Sequence, residues 1–204
     1  GMKFAVLDVE TTGDRPESDA IIQIGLVVVS GDRGKFSIER TYSSFVRPGV
    51  PIPAYITALT GITEEMTAGA PEPDDAVNEI MPLLDGAVLV GHHAAFDLAF
   101  LNEALVHAGY AGFSGRVLDT LDWLRILFPT LPSYQLSYVT EALGIRHDRP
   151  HQADSDALAT AELWIRCLEK LHRLPTVTLQ RLAALLSHPA AADHVWLLAA
   201  VMEW

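Results

Sequence analysis

The sequence predicts an α/β domain with a mixed sheet and helices on its faces, and three observations carry that expectation. Apolar runs of strand type open the chain, a hairpin turn signal separates two of them, and helix and strand signals then alternate. The chain has 204 residues, half of them apolar, enough for one well-buried domain with a modest appendage but not for two full domains.

The first strand is expected over Lys3 to Asp8 and the second over the Ile- and Val-rich run Ile21 to Ser30. Gly31-Asp32-Arg33-Gly34 reads as a turn, and Lys35 to Val46 alternates well enough for a third strand, giving a meander. Pro48 and Pro51 break the chain. Pro53 can start a short helix through Leu59 that stops at Gly61. Pro73 opens another, with Ala76, Val77, Ile80, Leu83 and Leu84 on its apolar face, and Asp85-Gly86 ends it. Ala87 to Val90 is a buried-type strand, Ala94 to Ala108 a helix stopped by Gly109, and Arg116 to Asp119 a last short strand. Helices follow over Thr120 to Phe128, Tyr134 to Leu143 and Ala153 to Leu171.

Pro175 marks a boundary, so the expected organisation is a domain over residues 3–172 and a helical extension over 173–204. The extension has two apolar-rich segments, Val177 to Leu186 and His194 to Trp204, split by Pro189. Its Leu179, Leu182, Leu185, Leu186, Trp196 and Leu197 need a surface to bury against. Ending on the apolar Trp204, the chain is expected to be cut from a longer protein.

No apolar run is long enough to span a bilayer, so no membrane partner is expected. The single cysteine, Cys167, cannot form an internal disulfide and fits a cytoplasmic location. The net charge of −12 opposes extended contact with nucleic-acid phosphates, which relies on many Lys and Arg. Either the chain avoids nucleic acid, or it grips a short piece of it through bound cations.

Three segments bear on that choice. In Asp8-Val9-Glu10-Thr11-Thr12-Gly13, the two acids are two apart and project from one face of a strand end. Adjacent carboxylates raise one another's pKa, and a divalent cation bound by oxygen ligands relieves the repulsion; a solvated strand end is the plainer alternative. In Val90-Gly91-His92-His93-Ala94-Ala95-Phe96-Asp97, a buried strand runs into a helix whose first turn holds Asp97, where the helix dipole favours an ionised carboxylate. In His151-Gln152-Ala153-Asp154-Ser155-Asp156, an imidazole lies just outside a long helix and Asp156 just inside it. Such an imidazole can take a proton from water. Asp154 reads as a cap or supporting group.

Taken in order, these segments resemble the DnaQ-like exonuclease superfamily, in its branch with a catalytic histidine, the DEDDh branch. The D-x-E motif is carried by Asp8 and Glu10. The H-N-x-x-F-D motif is matched by His92, His93, Phe96 and Asp97, with His93 where Asn is usual. The H-x-x-x-x-D motif is carried by His151 and Asp156. The likeness runs from about Lys3 to Leu171 and takes in Ile22-Gln23-Ile24-Gly25, Leu59-Thr60-Gly61-Ile62-Thr63 and Leu118-Asp119-Thr120-Leu121. A sister branch places Tyr in a Y-x-x-x-D pattern, which this chain lacks.

The resemblance implies an RNase H-like fold with a mixed five-stranded sheet, its second strand antiparallel. It implies 3′→5′ exonuclease activity that releases nucleoside 5′-monophosphates. Two divalent ions, Mg²⁺ or Mn²⁺, would be held by Asp8, Glu10, Asp97 and Asp156, with His151 as general base. Asp8 is expected to bridge the ions. The partner would be a single-stranded nucleic-acid 3′ end, DNA before RNA, met by the Thr11, Thr12 and Gly13 backbone, by Leu59, Ile62 and Met66 against a base, and by His92 and Phe96. The motifs are most similar to exonuclease segments of bacterial DNA polymerase III and of DinG-like helicase fusions. They imply a role in replication proofreading or repair and a polymerase or helicase partner at the C-terminal helices. Trimming of RNA 3′ ends and an inactive nucleic-acid-binding module are the alternatives.

Other motifs are weaker. His147 and His151 have the spacing of a helical zinc pair, but Pro150 between them spoils the helix. The chain contains no G-x-x-x-x-G-K-[ST] phosphate loop.

Overall fold

The computed structural model describes all of residues 1–204. Five strands form one sheet, β1 (Met2–Thr11), β2 (Ile21–Asp32), β3 (Lys35–Phe45), β4 (Val88–Gly91) and β5 (Val117–Asp119), in the order β3-β2-β1-β4-β5. β2 runs antiparallel to both neighbours, while β1, β4 and β5 are mutually parallel. The expected meander is therefore present, with β1 longer than expected at both ends. The β2–β3 turn is the two-residue loop Arg33-Gly34. Both residues have positive φ, 53° and 82°, which matches the right-handed twist of a hairpin.

The helices are α1 (Ala54–Thr60), α2 (Glu64–Ala68), α3 (Pro73–Leu84), α4 (Ala94–His107), α5 (Thr120–Leu127), α6 (Leu136–Ala142), α7 (Ala153–Arg173), α8 (Thr176–Leu185) and α9 (Ala192–Met202). As expected, Pro53 precedes α1 and Gly61 ends it in the left-handed conformation. The five-residue α2 is not signalled by periodicity. Its signal is Thr63, whose hydroxyl accepts the Met66 N–H, followed by Glu64 and Glu65.

Alternation along β1 feeds two cores. Phe4 and Val6 face the cluster built around Trp123, Trp164 and α7, whereas Ala5, Leu7 and Val9 face the cluster of α3 and α4. Asp8 and Glu10 continue the even-numbered face and so point toward α7. The C-terminal helices join the first cluster: Leu179 on α8 and Leu197, Leu198 and Val201 on α9 are buried in it, and Trp204 packs against Phe36. Residues beyond Pro175 thus share a core with the sheet. No helix is long and apolar enough to cross a membrane.

Candidate metal centre and active site

Asp8, Glu10 and Asp156 meet at the C-terminal end of β1, each offering a carboxylate oxygen within 4.8 Å of the others. Three contacts at the start of α7 bring Asp156 there. Gln23, the antiparallel partner of Glu10, accepts the Ala153 N–H on its side-chain oxygen at 2.7 Å. Gly25, the partner of Asp8, has no side chain, and a Cβ there would overlap the Ala153 backbone. The Ser155 hydroxyl accepts the Arg149 N–H at 2.8 Å and closes the preceding loop.

Asp97 comes from the opposite side of the sheet. It is 3 % exposed, and its Oδ1 accepts the backbone N–H of Val9 between the two β1 acids at 2.8 Å. The start of α4 that carries it is held by Asp119, whose carboxylate accepts the N–H groups of His93, Ala94 and Leu121. His93 itself adopts left-handed φ, 71°, with its side chain exposed. Asn adopts that conformation more readily than most residues, a backbone reason for Asn at this place in the resembling motif.

This geometry pushes the carboxyls of the cluster toward the protonated form. Burial pushes the Asp8 carboxyl well up, and the charges of Asp97, Glu10 and Asp156 add to it. Glu10 is pushed up to about 8 by burial, then by Asp156 and Asp97. Burial also raises Asp97 well above the carboxylate range, overriding the hydrogen bond from Val9, so its place in the helix start does not by itself keep it ionised. Asp156 is raised by burial against the lowering hydrogen bond of His147. Asp8 Oδ2 is sealed from solvent with no hydrogen-bond donor. Crowded hard oxygen ligands, one of them without a partner, fit a divalent cation.

A cavity of about 460 Å³ opens over these acids, lined by Asp8 and Asp156, by His92, His147, Pro150 and His151, and by Gln135, Leu136 and Ser137 at the start of α6. His151 is exposed at its wall, in left-handed conformation (φ 66°), and its backbone N–H donates to Asp156 Oδ1 at 3.2 Å. Asp154 turns away and pairs with Arg149.

Several expected substrate contacts stand differently. Ile62 is 0 % exposed, packed with Ile22, Ile52 and Ile56, so its side chain supports α1 and cannot meet a base. Leu59, by contrast, is 52 % exposed, and Met66 is exposed as well. The His92 ring is already committed: Nδ1 lies 2.7 Å from the Thr120 hydroxyl and Nε2 2.7 Å from the Tyr134 carbonyl. That carbonyl needs Nε2–H as donor, and burial lowers the His92 pKa, which favours the neutral ring. His92 therefore ties the α6 wall of the cavity to β4 and has no nitrogen left for substrate. Thr11 and Thr12 are buried and fold into their own turn, Thr11 donating to the Gly13 carbonyl and Thr12 bonding Ala20 and Asp19. Phe96 is half-buried, its ring 5.0 Å from that of Phe100.

The supporting groups Gln23, Asp119 and His147 were missed by sequence reasoning. Gln23 and Asp119 lay inside the segments of resemblance without an assigned role. His147 stands in the sequence only as half of a histidine pair that Pro150 interrupts.

Asp8, Glu10 and Asp156, with Asp97 bonded beside them, form an oxygen-donor set of the kind that holds divalent cations, at the end of β1 in an RNase H-like mixed sheet whose only antiparallel strand is β2. The exonuclease family model matches residues 5–164, and the chain belongs to that family. It is similar to the 3′-5′ exonuclease DinG of Bacillus subtilis (strain 168), 41 % identical over 187 residues, covering 91 % of this chain and 20 % of that protein. DinG of Staphylococcus aureus (strain USA300) is 40 % identical over 179 residues, 88 % of this chain and 20 % of its own. The chain thus spans about a fifth of the length of these relatives. Among solved structures, an E. coli ExoI–ssDNA complex in its zinc-bound form superposes with a TM-score of 0.73 at 20 % identity, covering 93 % of this chain and 46 % of that one. Exonuclease X in complex with 5′ overhanging duplex DNA gives 0.60 at 25 % identity, over 81 % of this chain and 90 % of that one.

Proposed function

We propose that this chain is a divalent-cation-dependent 3′→5′ exonuclease that releases nucleoside 5′-monophosphates from DNA 3′ ends in replication or repair. The observation that carries the reading is the meeting of Asp8, Glu10 and Asp156 within 4.8 Å, with Asp97 bonded between the first two. We assign Asp8, Glu10, Asp97 and Asp156 as the residues that would hold two Mg²⁺ or Mn²⁺ ions. Such ions supply activation of water at neutral pH and neutralisation of charge at the scissile phosphate.

The residues of the chain do the rest. His151, exposed at the cavity wall, takes a proton from the attacking water. The new P–O bond forms as the bond to the 3′ oxygen breaks, and that oxygen leaves with a proton from solvent. The backbone of Thr11 to Gly13 and the side chains of Leu59 and Phe96 orient the terminal nucleotide. Because only a few nucleotides are gripped, a net charge of −12 is no obstacle.

DNA is favoured over RNA by the DNA complexes of the structural neighbours. The DinG relatives favour a DinG-like role over that of a polymerase III epsilon-like proofreading subunit. We place the catalytic unit at residues 3–172 and read 173–204 as an extension. There Val177 and Leu185 on α8 remain exposed for a helicase or polymerase partner. One buried free cysteine suits work in the cytoplasm.

The test is mononucleotide release from matched 3′-labelled DNA and RNA oligonucleotides with Mn²⁺ or Mg²⁺. Release from DNA, lost in Asp8→Ala, supports the reading. Equal or faster release from RNA would move it to RNA 3′-end trimming, and no release with either would leave a binding module.

A further inference from the structure

His147 is the imidazole bonded to the acid cluster. Its Nε2 lies 2.6 Å from Asp156 Oδ1, and its side chain is only 7 % exposed. The other donor on that oxygen is the His151 backbone N–H. Both protein hydrogen bonds to the Asp156 carboxylate thus fall on Oδ1, which fixes the plane of the group and leaves Oδ2 without a protein donor.

The burial of His147 is costly. Its Nδ1 is sealed from solvent with no hydrogen-bond partner, a defect worth roughly 1–3 kcal/mol that an apolar side chain would avoid. A residue kept for packing alone would not carry that defect. The bond to Asp156 is the one polar contact it makes.

We propose that His147 is a positioning residue that holds the Asp156 carboxylate in the orientation required to bind a divalent cation. The proposal rests on the carboxylate-cation reading of the site and adds a residue outside the motifs of resemblance. Ligating carboxylates are themselves commonly hydrogen-bonded, and loss of such a partner weakens metal binding by roughly 10–100-fold. His147 and His151 then divide the work. His147 stays bonded to Asp156 through Nε2–H, while the exposed His151 ring remains free to move protons.

The experiment is Mn²⁺ binding followed by electron paramagnetic resonance of the free ion, with melting temperatures measured in chelator. His147→Phe fills the space without a donor; His147→Gln returns an N–H at similar reach. The expected result is Mn²⁺ binding weakened about 10–100-fold in His147→Phe, recovered largely in His147→Gln, with a chelated melting temperature no lower than wild type. Binding by His147→Phe within about twofold of wild type, or no recovery in His147→Gln, overturns the positioning role and leaves the cation reading standing. Wild-type protein that binds no Mn²⁺ overturns both. Should His147→Phe fail to fold, a Mn²⁺-bound crystal structure of the wild type decides. Nε2 within about 3.2 Å of Asp156 supports the role, and an imidazole swung away overturns it.

Discussion

Gln23 Oε1 accepts the Ala153 N–H at 2.7 Å, joining β2 to the first turn of α7 across 130 residues of sequence. Because Gln23 is also the strand partner of Glu10, this bond ties the strand that carries Glu10 to the helix that carries Asp156. Gln23→Leu keeps the buried bulk but strands the Ala153 N–H. It is expected to destabilise the fold by about 1–3 kcal/mol and to lower turnover more than tenfold. Urea melts and single-turnover hydrolysis would measure the two; unchanged turnover would detach Gln23 from the site.

The crowded acids make ion-free stability depend on pH with a definite sign. A carboxyl raised in the folded state binds more protons folded than unfolded, so its contribution is complete below the unfolded value and is lost as pH climbs through the folded one. For Glu10, pushed up to about 8, that loss runs from the ordinary carboxylate range to beyond neutrality. In chelator, Glu10→Gln should therefore gain stability over wild type progressively between about pH 5 and pH 8. The Mn²⁺-induced rise in the wild-type melting temperature should grow over the same interval, since the cation binds the ionised acids. A chelated difference that shrinks with pH would contradict the burial argument.

His151→Ala is expected to cut turnover by about 10²–10⁴-fold, the usual worth of a general base. Mn²⁺ affinity should stay near wild type, because the ring makes no hydrogen bond to an acid and the variant keeps the backbone N–H to Asp156. Near-normal turnover would pass the proton-transfer role to another group.

Leu59 and Ile62 separate surface from core three residues apart. Leu59→Ala should raise KM for a single-stranded oligonucleotide severalfold at unchanged melting temperature, since half its surface is exposed. Ile62→Ala, in the buried Ile22–Ile52–Ile56 cluster, should cost about 2–5 kcal/mol of stability. Thermal melts with steady-state kinetics on both variants would show whether the two effects sort this way.

His93 holds a left-handed backbone at the entrance to α4. His93→Asn is expected to stabilise the protein by up to about 1 kcal/mol and to leave turnover within about twofold, because Asn enters that region at lower cost. A large loss of activity would give the exposed imidazole a role beyond its backbone.

Much of this molecule was legible in its sequence because the signals are local. The two-residue period of β1 puts Asp8 and Glu10 on one face, Pro53 and Gly61 bracket α1, and the ordered motifs pick out acids that meet in the fold. The short α2 escaped because five residues carry too little periodicity. The part played by Ile62 escaped because an apolar residue beside a motif reads equally as wedge or core. Only tertiary structure decided which imidazole is bonded to the acids. His147 and His151 flank Pro150, and nothing in their spacing tells that one is buried against Asp156 while the other opens to the cavity. That choice is made by long-range contacts, Gln23 and Gly25 beneath Ala153 and Tyr134 across to His92, which a linear pattern of residues does not contain.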